Sequence, residues 1–111
     1  MIKNMPVAEA VDLAALVECQ TGKVISRTLT QNSKVTVTLF AFAAGEGLST
    51  HTASGDALVY VLEGEALITI ANHEMTVSAG QAVVMPAQVP HAVAAPTAFK
   101  MLLVVVKPED V

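Results

Sequence analysis

From residue 23 onward the chain is a series of short apolar segments cut by glycine, proline and asparagine, and this punctuation limits the fold more than any other feature. "KVISRTL" (23–29) is β-branched and partly alternating, and "QNS" (31–33) is turn chemistry. "KVTVTLFAF" (34–42) then alternates, with Val35, Val37, Leu39 and Ala41 facing one way, and "GEG" (45–47) ends it. In "ALVYVLEGEALITIA" (57–71), Val59 and Val61 share one face while Leu58, Tyr60 and Leu62 share the other; Glu63-Gly64 interrupts before a second strand. "NHE" (72–74) reads as a hairpin turn, "SAGQ" (78–81) and "AQVP" (87–90) as further turns, and strands fall between and after them to residue 107. Roughly eight or nine strands of this length predict an all-β sandwich or small barrel.

The first part of the chain reads differently. Residues 7–17, "VAEAVDLAALV", place Val7, Ala10, Val11 and Ala14 at helical spacing, and Pro6 suits a first helical position, so a short helix or helical turn is expected there. At 111 residues the chain is expected to form one domain over 1–111, with a core barrel over about 34–107 and an N-terminal segment, 1–33.

Composition excludes several classes. A formal charge of −4 with six scattered Lys and Arg argues against nucleic acid and anionic membranes as partners. Cys19 is the only cysteine, so an internal disulfide and a cysteine-based zinc site are excluded, and a small buried or half-buried thiol is expected. Glu9 and Asp12 break the apolar stretch after Lys3 that a signal peptide would need, and the longest aliphatic run, 101–106, is far below the roughly 20 residues of a membrane span. A cytoplasmic location is the resulting expectation. An apolar fraction of 53% against 14% charged is high for a small domain with much surface, and it predicts that apolar surface meets a second copy in a homodimer.

Two glycine-opened blocks, 45–64 and 80–95, carry the chemistry. In the first, Gly45, His51 and Gly64 stand in a G-x5-H-x-H-x3-E-x6-G frame whose second histidine position holds Ala53 and whose glutamate position holds Ala57. In the second, Gly80, Pro86 and His91 stand in a G-x5-P-x-G-x2-H-x3-N frame, with Gln88 for the glycine and Ala95 for the asparagine. These blocks resemble the paired motifs of the cupin superfamily, over nearly all of residues 34–107. The resemblance implies a double-stranded β-helix (a jelly-roll barrel) and a small single-domain member whose metal motif is degenerate. It also implies that two histidines from facing hairpins look into one mouth, where a full set of three imidazoles and a carboxylate would hold Fe, Mn, Ni, Cu or Zn. Here His51 and His91 are the only ligands of that set, an incomplete site to which Gln88 could add an amide oxygen.

Three functions follow as expectations. One is a pocket for a small organic molecule or anion, with His51 and His91 as polar contacts and Ala53, Ala57 and Val59 lining the wall, since they share the inward parity. Another is a metal-dependent dioxygenase, isomerase or decarboxylase with a two-histidine site. The last is a non-catalytic structural or regulatory dimer. Other residues offer less. His73 falls in a turn, Asp56 has the wrong parity for the mouth, and Ser49 and Ser54 lack a nucleophile elbow. Glu63 and Glu65 read as solvated edge charges rather than a glycosidase pair.

Overall fold

The computed structural model describes residues 1–109. Nine strands are present among them: β1 (Val24–Gln31), β2 (Val35–Phe42), β3 (Gly47–His51), β4 (Asp56–Glu63), β5 (Glu65–Ile70), β6 (His73–Ser78), β7 (Ala82–Met85), β8 (His91–Ala94) and β9 (Phe99–Val106). They form two antiparallel sheets, ordered β1-β2-β9-β4-β7 and β3-β8-β5-β6. The punctuation explains the breaks. Gly64, at φ +74°, turns β4 into β5, and a Cβ there would meet the Ala98 carbonyl oxygen at 2.6 Å. The hairpin between β5 and β6 is tighter than 72–74: Ala71 (φ +54°) and Asn72 make the turn, and His73 already pairs with Ile70.

Strand register sorts the five-stranded sheet into two faces. Pairing puts Ala57, Val105 and Thr36 in one row, Val59, Leu103, Thr38 and Thr28 in the next, and Val61, Met101, Phe40 and Ser26 in the third. A fourth row, Phe99–Phe42–Val24, ends in two rings stacked 4.6 Å apart. This face looks across at Ala66, Ile68, Val77 and Val93 of the other sheet, and together they form the main core. Burial of such side chains stabilises the fold by about 1.5–3 kcal/mol each.

The opposite face carries Val35, Val37, Leu39 and Ala41 of β2, so the cleanest apolar alternation in the sequence points out of the barrel. It is covered by the chain's own N-terminal segment. Val17, Leu29, Leu39 and Ala41 form a second buried cluster against which Met5, Leu13 and Leu16 pack. Residues 7–17 do not form a helix; a 3-10 turn spans only Leu13–Leu16, with Asp12 as its cap accepting from the Ala14 N–H at 3.1 Å. Val7 is 83% exposed, and Ala8 adopts φ +58°, which stops helix propagation from Pro6. The segment is fastened by Lys100, whose Nζ donates to the Ala14 carbonyl at 2.7 Å and meets Glu63 at 3.4 Å. Its start is fastened by Asn4, whose Nδ2 donates to the Thr28 carbonyl at 2.7 Å beside the β1 bulge. Cys19 is exposed rather than buried or half-buried.

Candidate functional site

One end of the sandwich is closed. The Ala43 N–H donates to Lys23, Gly45 donates to Ala95 and Ala95 donates to Glu46, so the end of β2, the start of β3 and the end of β8 meet there above the Phe42–Phe99 stack. The start of β2, the end of β3, the starts of β4 and β8 and the end of β9 therefore gather at the other end, the mouth. Loops are stitched together at this end: the Gln88 N–H donates to Ala53 at 2.8 Å, Ala71 donates to Pro90 at 2.8 Å, and Ala87 donates to the Asp56 carboxylate at 2.8 Å. Asp56 thus serves the scaffold, and its side chain is occupied.

His51 and His91 meet at the mouth, but not from facing hairpins: β3 and β8 are neighbouring strands of one sheet, so the two rings stand side by side on the same wall. They are Cα partners across β3 and β8, their ring centroids are 4.4 Å apart at 68°, and their Nε2 atoms are 3.2 Å apart. His91 is 3% exposed, whereas His51 opens to solvent. Each ring is oriented by the backbone of its own loop. His51 Nδ1 lies 2.8 Å from the Ser49 carbonyl oxygen, and His91 Nδ1 lies 3.1 Å from that of Val89. The Ser49 carbonyl is available because β3 shifts register between Leu48 and His51. A carbonyl oxygen only accepts, so both Nδ1 atoms carry hydrogen. In the neutral rings two Nε2 lone pairs then face one another. Their contact becomes a hydrogen bond when one Nε2 gains a proton, and both lone pairs are satisfied when a cation or a ligand's donor sits between or beside them.

The remaining site residues are distributed as follows. Ala53 is half-buried in the loop after His51. Ala57 and Val59 face inward but are 2% and 0% exposed, enclosed in the main core with Met85 and Met101. Gln88 is exposed and adopts φ +65°, the backbone conformation that the glycine of the second motif would supply without strain. His73 lies exposed on β6. Sequence reasoning missed Thr28, Thr36 and Thr38, which occupy the inner face at the mouth end; the signal was the polar half of the β2 alternation.

The spacing of the two nitrogens suits a metal ion. Two ligands at the usual zinc–nitrogen distance of about 2.0–2.1 Å, on adjacent positions of one ion, stand about 3 Å apart. The donor set does not suit one. Positions 53 and 57 carry methyl groups, and among the described residues no three His, Cys, Asp or Glu side chains come together. A catalytic ion of this kind takes about three protein ligands. The residues present therefore do not make a resident metal centre.

Two facing antiparallel sheets with paired histidine-bearing hairpins at one end define a jelly-roll barrel of the cupin type. The chain belongs to the cupin domain family, whose model matches residues 38–107. A conserved protein of unknown function from Streptococcus pyogenes is 43% identical with a TM-score of 0.95, over 98% of this chain and 96% of that one. A cupin superfamily protein from Desulfitobacterium hafniense is 34% identical with a TM-score of 0.93, over 97% and 99%. A cupin 2 conserved barrel domain protein from Leptotrichia buccalis is 43% identical with a TM-score of 0.85; the match covers 87% of this chain and 47% of that one. No curated protein matches by sequence. Among the described residues no helix is long and apolar enough to cross a membrane.

Proposed function

We propose that the barrel is a binding module for a small organic acid, taken at the mouth by His51 and His91. The observation that carries this reading is the pair of Nε2 atoms 3.2 Å apart, each ring held by a carbonyl oxygen on its Nδ1. A protonated acid entering the mouth delivers its proton to the facing lone pairs. The pair then holds an Nε2–H···Nε2 hydrogen bond and a positive charge beside the carboxylate. The methyl groups of Ala53 and Ala57 leave the approach without a competing anion, which a glutamate at position 57 would have introduced. Thermal shift against a panel of small carboxylic acids tests the reading. Stabilisation that vanishes in His51→Ala supports it, and a flat panel with an equally inert variant overturns it.

A second reading, a metal-dependent dioxygenase, isomerase or decarboxylase, is favoured by the same 3.2 Å spacing and opposed by the missing donors. Elemental analysis of protein purified without an affinity tag separates the two. We propose also that the protein pairs with a second copy of itself. Leu58, Tyr60, Val84 and Val106 remain 40–56% exposed on the outer face of the five-stranded sheet, where the N-terminal segment does not reach. An apolar sheet face of this kind is buried by a twofold contact with its own copy.

A further inference from the structure

Toward the mouth, the inner wall of β1 and β2 changes from Val24, Phe40 and Phe42 to threonine. Thr36 and Thr38 lie on the barrel side of β2, while Val35, Val37, Leu39 and Ala41 lie outside. Thr28 of β1 is the Cα partner of Thr38 and shares its face. Thr38 is 7% exposed, yet the hydrogen bonds among the described residues leave its hydroxyl uncommitted, as they do those of Thr28 and Thr36. Among the described residues no wholly sealed side-chain oxygen lacks a partner, so the Thr38 hydroxyl keeps a little solvent access. Valine has the same shape and would bury better at Thr38, so packing does not account for a hydroxyl there, while Thr28 and Thr36 are half-buried beside it on the same face.

Their position supplies the account. The chain passes from Phe42 to Gly47 through residues 43–46, so β3 crosses to the sheet facing β2 and runs back toward the mouth. His51 ends β3 at the level where β2 begins, which puts the histidine pair on one wall and Thr36 and Thr38 on the wall across from it. Facing sheets stand about 10 Å apart, so a molecule touching both walls is short.

We infer that Thr28, Thr36 and Thr38 are specificity-determining residues that select a hydroxylated acid, whose carboxylate lies at His51 and His91 and whose hydroxyls meet the threonine ladder. This rests on the acid-binding reading above and names the substrate class for that site: a short polyhydroxylated carboxylic acid, in preference to its deoxy counterpart. A site built to hydrogen-bond hydroxyls discriminates strongly against an analogue that leaves them unpaired.

The test uses gluconate and hexanoate, which share chain length and carboxylate, with binding followed through threonine methyl and histidine ring resonances. In the wild-type chain gluconate should move both sets and bind at least about tenfold tighter than hexanoate, which should move the rings alone. In the double variant Thr36→Val/Thr38→Val the preference for gluconate over hexanoate should be lost. Valine keeps the shape and favours a strand, so the variant folds. Equal affinities in the wild type, or a gluconate preference that survives both substitutions, overturns the inference while ring responses lost in His51→Ala preserve the acid site. If neither acid moves the rings, both the inference and the acid site are overturned.

Discussion

His51 and His91 stand forty residues apart in the chain and meet Nε2 to Nε2 at 3.2 Å, each with its Nδ1 on the carbonyl oxygen two residues before it. The two hairpins solve the same problem in the same way: a loop irregularity frees one carbonyl, and that carbonyl sets the tautomer. The symmetry is geometric: either ring alone would present a single Nε2 acceptor. Exposure differs, however, and so should the effects of truncation. His51→Ala should abolish the response to acids while changing stability by less than about 0.5 kcal/mol, since the ring is exposed. His91→Ala should abolish the response and cost about 2 kcal/mol, because a 3% exposed ring and its hydrogen bond are lost. Urea unfolding with and without ligand measures both.

A metal should be dispensable. Dialysis of untagged protein against a chelator should leave the thermal midpoint within roughly 1 °C, because an ion that binds only weakly adds little to folded-state stability. Returning zinc should perturb the rings of His51 and His91, and His51→Ala should remove that effect. A large drop in midpoint on chelation would point to donors beyond the two imidazoles.

Gly47 sets the distance between β3 and β8. A Cβ at this position would meet the Val93 carbonyl oxygen at 2.4 Å and Ala94 Cα at 3.3 Å, both backbone atoms that cannot swing aside. Gly47→Ala should therefore cost about 2 kcal/mol and separate the strands that carry the two histidines. Loss of the Nε2 contact would be read as changed ring resonances of both histidines by NMR.

Gln88 holds a left-handed backbone conformation, φ +65°, while its N–H supports Ala53. Gln88→Gly should keep that hydrogen bond and relieve the strain. The gain is partly offset by the freer unfolded chain, leaving about 0.5 kcal/mol of added stability. A shift of the urea midpoint to higher concentration checks the sign.

The outer sheet face predicts the assembly state. Leu58 and Tyr60, each 40% exposed, should lie in the contact between copies. Leu58→Lys/Tyr60→Lys should convert a dimer to a monomer in sedimentation without changing acid binding at the mouth. A wild-type chain that sediments as a monomer would remove the dimer from the proposal.

Legibility in the sequence was uneven, for reasons visible in particular residues. The strand breaks were legible because Gly64, Pro86 and the residues around Asn72 act locally, within a few bonds. The N-terminal helical turn was legible, but its extent was not: apolar residues at helical spacing in 7–17 suit a covering strap as well as a helix, and only the sheet they cover confines the turn to Leu13–Leu16. The two histidines were legible through the motif frame. The threonine wall was not, because alternation separates two faces without saying which is inside.

What the sequence determined by itself is a set of local quantities: an all-β chain, its turns, and His51 and His91 at the mouth ends of two hairpins of like design. Only the tertiary structure decided that the apolar face of β2 is outside beneath the N-terminal strap, that its threonine face is inside, and that Ala57 and Val59 belong to the core. The physical reason is that a strand has two equivalent faces with a period of two residues, and which of them is buried depends on contacts with segments distant in the chain.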